Sequence, residues 1–544
     1  MNSKQTYIGH LVDIPARTIC GARISVADDR ILSIEHEADV PADAPYFLPG
    51  FCDAHIHIES SMMIPEQFAR IAVQHGVVAA ICDPHEITNV LGVKGIDFMV
   101  GNARNSRFGF FFGLPSCVPS SHLETAGAVI DAAQTRELIR RDDLWFLAEM
   151  MNFPGLLADD PEVWAKLQAA KDARKPIDGH APGVTGDALR KYIGAGVSTD
   201  HECSTLAEAR EKIAMGMHIL VREGSAARNF DALYPIIGEA PDRVMLCSDD
   251  KHPDGLIKGH IDALVRRAVA RGLSVWDVLQ TACINPVHHY GVPVGQLRKG
   301  DPATFIAVDN LANFNVLQTI IAGRKVFDHG SGLDLEALTA EHNSVTAPNN
   351  FNAQPITTAD LQVTPTSDHV RVIVALDGEL FTPSEIVSVD ELAKGDIQKI
   401  MVYNRYGNGR PQVAYIRGFA LREGALGATI AHDSHNIVVI GCDDASIVRM
   451  TNALIAAKGG IGYVAGNEAE VLPLPIAGLM SDEPAEQTAA KYQSFLDHAH
   501  ALGCPLESPY ITMSFMELPV IPELKLTDKG LVDVSKFDFV NLFV

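Results

Sequence analysis

Between residues 49 and 285, short apolar runs alternate with amphipathic stretches. Eight of the runs are rich in β-branched and aromatic residues: Gly50–His57, Val77–Asp83, Phe108–Pro115, Trp145–Met151, Pro176–His180, Gly196–His201, Met217–Arg222 and Arg243–Asp249. Between them, Pro65–His75, Glu124–Arg141, Pro161–Arg174, Leu206–Met215 and Lys258–Arg271 space their apolar residues along one face of a helix. Strand–helix alternation of this kind builds a parallel sheet. Eight such units predict a (β/α)8 barrel, whose active site lies at the carboxyl ends of the strands.

The flanks have a different rhythm. Residues 1–48 alternate and turn like a short β-meander (Tyr7-Ile8, Thr18–Ile24, Arg30–Ile34), and 286–345 return to β character at Gly295-Gln296-Leu297, Ala303–Val308, Val316–Ile321 and Lys325-Val326. The two pieces are expected to pair as one small sheet beside the barrel. Residues 346–360, with their Asn, Pro, Thr and Ala, read as a linker. The last region, 361–544, has strand patterns at Val370–Leu376, Ile400–Tyr403, Val413–Phe419 and Ile437–Ile440, and helical ones at Ala445–Lys458 and Pro484–Leu502. The expected fold class is therefore α/β: a TIM-like barrel, a small composite β domain from both flanks, and a C-terminal α+β domain.

Charge narrows the choice of partner. With 44 basic against 68 acidic residues the net charge is −24, the opposite of what a binder of phosphate backbones needs, so nucleic acid is not expected. A small neutral or cationic substrate is easier to accommodate. The nine cysteines are scattered without a Cys-x-x-Cys pair, which argues against a disulfide framework and for a reducing cytoplasm. Met1–Leu11 lacks a signal-peptide pattern, and no apolar run reaches the roughly 20 residues of a membrane span.

Candidate chemistry collects at the ends of the predicted strands. His55 and His57 end the first, and in an extended segment two residues one apart share a face. By itself such a pair is unremarkable in a chain with 21 histidines. Strand four carries Glu149, strand five ends at His180, strand six at His201 and strand eight at Asp249. Four imidazoles and two carboxylates drawn to one barrel axis suit a two-metal site, with Glu149 assigned as the bridging carboxylate. Asp249 is the expected proton acceptor; Asp250 joins the relay only if the strand has ended before it.

Other motifs need sorting. His85-Glu86-Ile87-Thr88-Asn89 starts like a zincin helix but has Asn89 in the fifth position, leaving His85 and Glu86 as pocket-lining candidates or as the start of a helix capped by Asp83 and Pro84. His57-Ile58-Glu59 matches half of the cytidine deaminase signature, without the Pro-Cys-x-x-Cys that must follow. Gly460–Ala465 superficially fits a dinucleotide loop but follows an apparent helix, so a turn is expected there. The cluster His432-Asp433-Ser434-His435-Asn436 either reaches the site, with His432 as a substrate-binding candidate, or forms a hydrogen-bonded turn.

Pro49-Gly50-Phe51-Cys52-Asp53-Ala54-His55-Ile56-His57 resembles the opening motif of the amidohydrolase superfamily. Its continuation to Glu59-Ser60-Ser61-Met62 is similar to the adenine deaminase family within it. So are Cys82–Ile87, Pro115–Pro119, Asp178–Gly183, Asp200–Glu202, Cys247–Pro253 and Ala431–Asn436. The resemblance covers nearly the whole chain. It implies hydrolysis of adenine to hypoxanthine and ammonia, two divalent ions (Mn2+ or Fe2+, with Zn2+ a further candidate), and a homodimer. The alternatives are another aminopurine, a cyclic amide such as a hydantoin or dihydropyrimidine, or a metal-binding regulatory protein with an inactive barrel.

Overall fold

The computed structural model describes residues 4–343, 346–407 and 409–544. Residues 1–3 of the first expected segment and 344–345 at the end of 286–345 lie outside them. The eight expected barrel strands are present as β1 (Phe51–Ile56), β2 (Val77–Cys82), β3 (Gly109–Leu114), β4 (Leu144–Met150), β5 (Ile177–Gly179), β6 (Thr199–Asp200), β7 (His218–Arg222) and β8 (Val244–Cys247). Strands covered on both faces read as continuous apolar runs rather than as alternation. Val77–Cys82 is such a run, buried throughout.

All neighbours in the ring are parallel, β1 to β5 in one ladder and β6 to β8 in another. One seam, between β5 and β6, is closed by the Ser198 N–H donating to Ile177 O at 2.9 Å. The other is closed by the Asp249 N–H donating to His55 O at 3.0 Å, which joins the last strand to the first. Gly179 suits the first seam because a Cβ there would stand 2.3 Å from Thr199 O.

The flanking pieces form one eight-stranded sheet. Tyr46–Pro49 is its meeting point, antiparallel to Phe305–Val308 and parallel to Gln5–Asp13. Gly295–Leu297, expected to be extended, is not a strand. The C-terminal region builds a second eight-stranded sheet, with the helix Asp444–Ala457 packed on it and a longer helix at Ala485–Ala501. Residues 346–360 do not hang free: Ala353 and Ile356 are buried with Met450 and Leu454.

Two further expectations are corrected. The helix expected over Glu124–Arg141 is confined to Ala132–Leu138, because Asp131 and Gln134 form a capping box that starts it there. Gly460–Ala465 is a strand rather than a turn, paired with Ala425–Ala428 and Glu468–Pro473.

Candidate metal centre

Both carboxylate-bearing and imidazole-bearing strand ends are irregular where they matter. In β1 the register with β2 slips between Asp53 and Ile56, and in β4 the register with β5 slips between Leu147 and Met150. A bulge re-aims side chains, and these two fall at His55 and Glu149. His57 lies just past the end of β1, still extended. Its Nδ1 is 3.1 Å from Asp83 O; a carbonyl only accepts, so Nδ1 carries the proton and Nε2 offers a lone pair.

The Nε2 atoms of His55 and His57 are 3.1 Å apart, and Asp249 Oδ1 stands 3.5 and 3.3 Å from them. Donors held about 2.1 Å from one cation stand roughly 3.0–3.4 Å from each other, so this triangle has the size of one coordination face. A second set lies beside it. Glu149 Oε2 is 2.8 Å from His180 Nδ1 and 3.3 Å from His201 Nε2, while Glu149 Oε1 is 3.3 Å from His57 Nε2. One carboxylate thus presents a different oxygen to each set of imidazoles. The donor set fits two divalent cations, and all six side chains are at least nine-tenths buried.

Two further charges complete the floor. Arg222, at the end of β7, donates to Asp249 Oδ2 at 2.7 Å and grips Glu202 with both of its terminal nitrogens. Glu202 Oε1 lies 3.3 Å from His201 Nε2 and 3.5 Å from His180 Nδ1. Below them, the fully buried Lys212 ammonium donates to Asp200 at 2.9 Å, Glu208 at 2.7 Å and Ala181 O at 2.7 Å. It thereby ties the loop after β5 to the end of β6 and to the helix Leu206–Ala214 that follows.

Burial works against ionisation of Asp249, but Arg222 and the hydrogen bonds from His55 and His57 hold it well below the usual carboxylate range. Burial likewise opposes ionisation of Glu149, and His201 and His180 outweigh it. Asp250 goes the other way: burial raises its pKa, and Asp249 adds to the effect against the opposing pull of His432. The strand ends at Cys247 and Asp249 has a left-handed backbone (φ 53°), so simple alternation does not apply. Asp250 therefore faces the same chamber as Asp249 and accepts from Ser60 Oγ at 2.5 Å.

The C-terminal domain supplies the opposite wall. His432 and His435 both contact Glu86, and Asp433 Oδ1 is 3.4 Å from His85 Nε2. The cluster His432–Asn436 therefore reaches the site. Although burial lowers it, the pKa of His432 is raised to about 9 by Glu86 and Asp250. His85 and Glu86 begin the helix His85–Leu91, and Asp83 Oδ1 accepts the His85 N–H at 3.0 Å as a cap would. His85 Nδ1 also stands beside the cluster, 3.5 Å from Glu149 Oε1.

All ten side chains singled out from the sequence (His55, His57, His85, Glu86, Glu149, His180, His201, Asp249, Asp250 and His432) converge on this region. Asp53, within the opening motif, does not join them. It accepts from the Ser248 N–H and hydroxyl and pairs with His260 at 2.7 Å, locking β1 to β8. Glu202 and Arg222 carried no expectation. Arg222 ends β7, the one strand of β5–β8 to whose end the sequence assigns no role.

Residues 46–326 match the model of the amidohydrolase family, and 377–538 that of the adenine deaminase C-terminal domain. The adenine deaminase of Salinibacter ruber is 48% identical over 545 residues, covering 98% of each chain. That of Methanosarcina mazei is 47% identical over 559 residues, covering 99% of each. Among solved structures, a beta-aspartyl dipeptidase from Fervidobacterium islandicum aligns with a TM-score of 0.45 at 15% identity, over 60% of this chain and 99% of that one.

Proposed function

Since this chain belongs to the adenine deaminase family of metal-dependent amidohydrolases, we propose that it hydrolyses adenine to hypoxanthine and ammonia. What carries this reading is the identity of 48% and 47% to adenine deaminases over nearly the whole chain, together with a buried donor set of four imidazoles and two carboxylates and a neighbouring carboxylate pair, Asp249 and Asp250. A merely structural metal site closes its coordination without such a pair.

His55, His57 and Asp249 would hold one ion, His180 and His201 the other, with Glu149 between them. The donor set of imidazole and carboxylate suits Mn2+ or Fe2+, and also accepts Zn2+. When bound, such ions supply the Lewis acidity that makes water a nucleophile at neutral pH. Asp249 Oδ1 faces the cluster while Arg222 occupies its other oxygen, which orients it to take the proton of the water that attacks C6. His432, cationic near neutral pH, and Asp250, 3.9 Å away with its pKa raised by burial, share the other side of the chamber as partners for a proton. They are placed to return one to the ring nitrogen or to the departing amine. His85 and Glu86 fix that wall, Glu86 by contact with His432 and His435.

The chain has no helix long and apolar enough to cross a membrane among its described residues, and its nine cysteines are unpaired, which fits a reducing cytoplasm. A homodimer follows from the family resemblance and is checked by light scattering. The activity is tested by incubating manganese-loaded protein with adenine and following hypoxanthine spectrophotometrically. Asp249→Asn with metal retained should lose about 10²- to 10⁴-fold in turnover. Wild-type turnover in that variant would remove Asp249 from its role.

A further inference from the structure

The chamber containing the donor cluster has a volume of about 30 Å³, room for one or two waters and too little for a fused two-ring heterocycle. Its roof is apolar and comes from the C-terminal domain: Leu380, Phe515, Leu518 and Ile521. On the far side of Leu380 and Ile521 lies a cleft of about 380 Å³. The cleft and the chamber share four walls, Glu202 and Arg222 from the barrel and Leu380 and Ile521 from the roof. Two other sizeable cavities, of about 590 Å³ beside His122 and about 260 Å³ beside Lys258, share no lining residue with the chamber.

The backbone of this partition is held by hydrogen bonds, whereas the side chains of Leu380 and Ile521 are only partly buried and held by apolar packing. Lys525, fully buried, donates to Leu380 O at 3.1 Å and Phe515 O at 2.9 Å. The Thr382 N–H donates to Pro522 O at 3.0 Å, and the Glu523 N–H donates back to Thr382 O at 3.2 Å, so the two roof segments are laddered to each other. Because Leu380 and Ile521 line both spaces, a rotamer change in their side chains would join cleft to chamber without breaking these bonds.

We propose that the cleft is the vestibule in which a neutral, planar heterocycle of purine size first binds, and that Leu380 and Ile521 are the swinging partition through which it reaches the metal chamber. The proposal rests on the deaminase reading for its substrate, but the path itself can be read without activity. An apolar partition passes a flat neutral ring and resists a charged or phosphorylated one, because the charge would have to shed its hydration there.

The test uses the full-length, metal-loaded protein with the two exposed cysteines removed (Cys20→Ser, Cys442→Ser). Into it is placed either Ser204→Cys, on the cleft wall, or His122→Cys, in the cavity that shares nothing with the chamber. Each is labelled after folding with the same bulky maleimide. Two readouts are compared with the unlabelled variant: kcat/KM for adenine, and the rate at which the planar chelator 1,10-phenanthroline strips the metal. The label at Ser204→Cys should lower both at least tenfold with metal content unchanged, and the label at His122→Cys should lower neither. Leu380→Trp should reproduce the block with kcat less affected than kcat/KM. Equal rates with and without the label at Ser204→Cys, or equal blocking from His122→Cys, would overturn the vestibule. An unlabelled protein that ignores adenine, while its stripping rate still responds to the label, would overturn the substrate and leave the path standing.

Discussion

Arg222 holds Asp249 by the oxygen that does not face the histidines: Nη1 to Oδ2 is 2.7 Å, while Oδ1 stands 3.3 Å from His57 Nε2. The guanidinium also spans Glu202 with a bidentate grip that an ammonium cannot reproduce. Arg222→Lys keeps the charge and loses the fork. Misplacing a reacting group by about 1 Å costs on the order of 10²-fold in rate. We expect kcat for adenine to fall about 10- to 100-fold while KM and metal content change little; a parallel loss of bound metal would mean that Arg222 serves the cage instead.

Lys212 makes three contacts in a space with no exposure, two of them to carboxylates. Removing one partner from a buried charge cluster costs roughly 3–5 kcal/mol. Lys212→Met should therefore lower the denaturation midpoint by that equivalent and loosen the loops carrying His180 and His201. Adding Asp200→Asn should recover part of the loss, since it removes the charge left unpaired. Urea denaturation of the two variants beside the parent protein measures both effects.

Glu517 is buried with Ser434 Oγ at 2.6 Å and Asn436 Nδ2 at 3.0 Å, both donating to the same oxygen. Its other oxygen has no partner. Burial pushes its pKa up to about 8. A carboxyl raised in the folded state stabilises fully below its unfolded pKa of about 4.5 and loses that contribution as pH rises through 8. The span corresponds to roughly 5 kcal/mol. Glu517→Gln keeps the accepting oxygen and abolishes the ionisation, so it should melt higher than the wild type at pH 9, with the difference gone by pH 5. Calorimetry at the two pH values gives the comparison.

Glu149 offers one oxygen to each set of imidazoles. If it lies between two ions, its loss is felt by both. The wild type should contain close to two manganese ions per chain by elemental analysis. Glu149→Gln, with one donor oxygen replaced by an amide that cannot ligate, should fall below one. Chelation of the wild type should abolish turnover and added Mn2+ or Fe2+ should restore it.

Much of this architecture could be read from the chain because barrel strands are buried on both faces. Runs such as Val77–Cys82 leave little ambiguity when turns and helices of regular length separate them. The site was legible because its candidate residues stand at or just past strand ends, which a barrel draws to one axis. What escaped was set by contacts far apart in sequence. The loop before Asp131 is irregular because Gly127 packs its N–H onto Asn89 O at 2.7 Å, a contact no local pattern reports. Glu202 lies two residues past the end of β6, and its role comes from Arg222, twenty residues on. Gly460–Ala465 looked like a turn because its partner strands, Ala425–Ala428 and Glu468–Pro473, supply the ladder that makes it extended. Asp53 sits in the most suggestive motif of the chain, yet His260 and Ser248 claim it.

The cage is contributed by the barrel, whereas His432, Phe515 and Ile521 overhead belong to a domain that begins more than a hundred residues after Asp249. Inheritance can therefore act on the two halves independently. Loop changes within 376–381 or 515–522 can retune which ring is admitted without disturbing the cations, so altered substrate range should arise in this lineage by remodelling the ceiling over an unchanged floor.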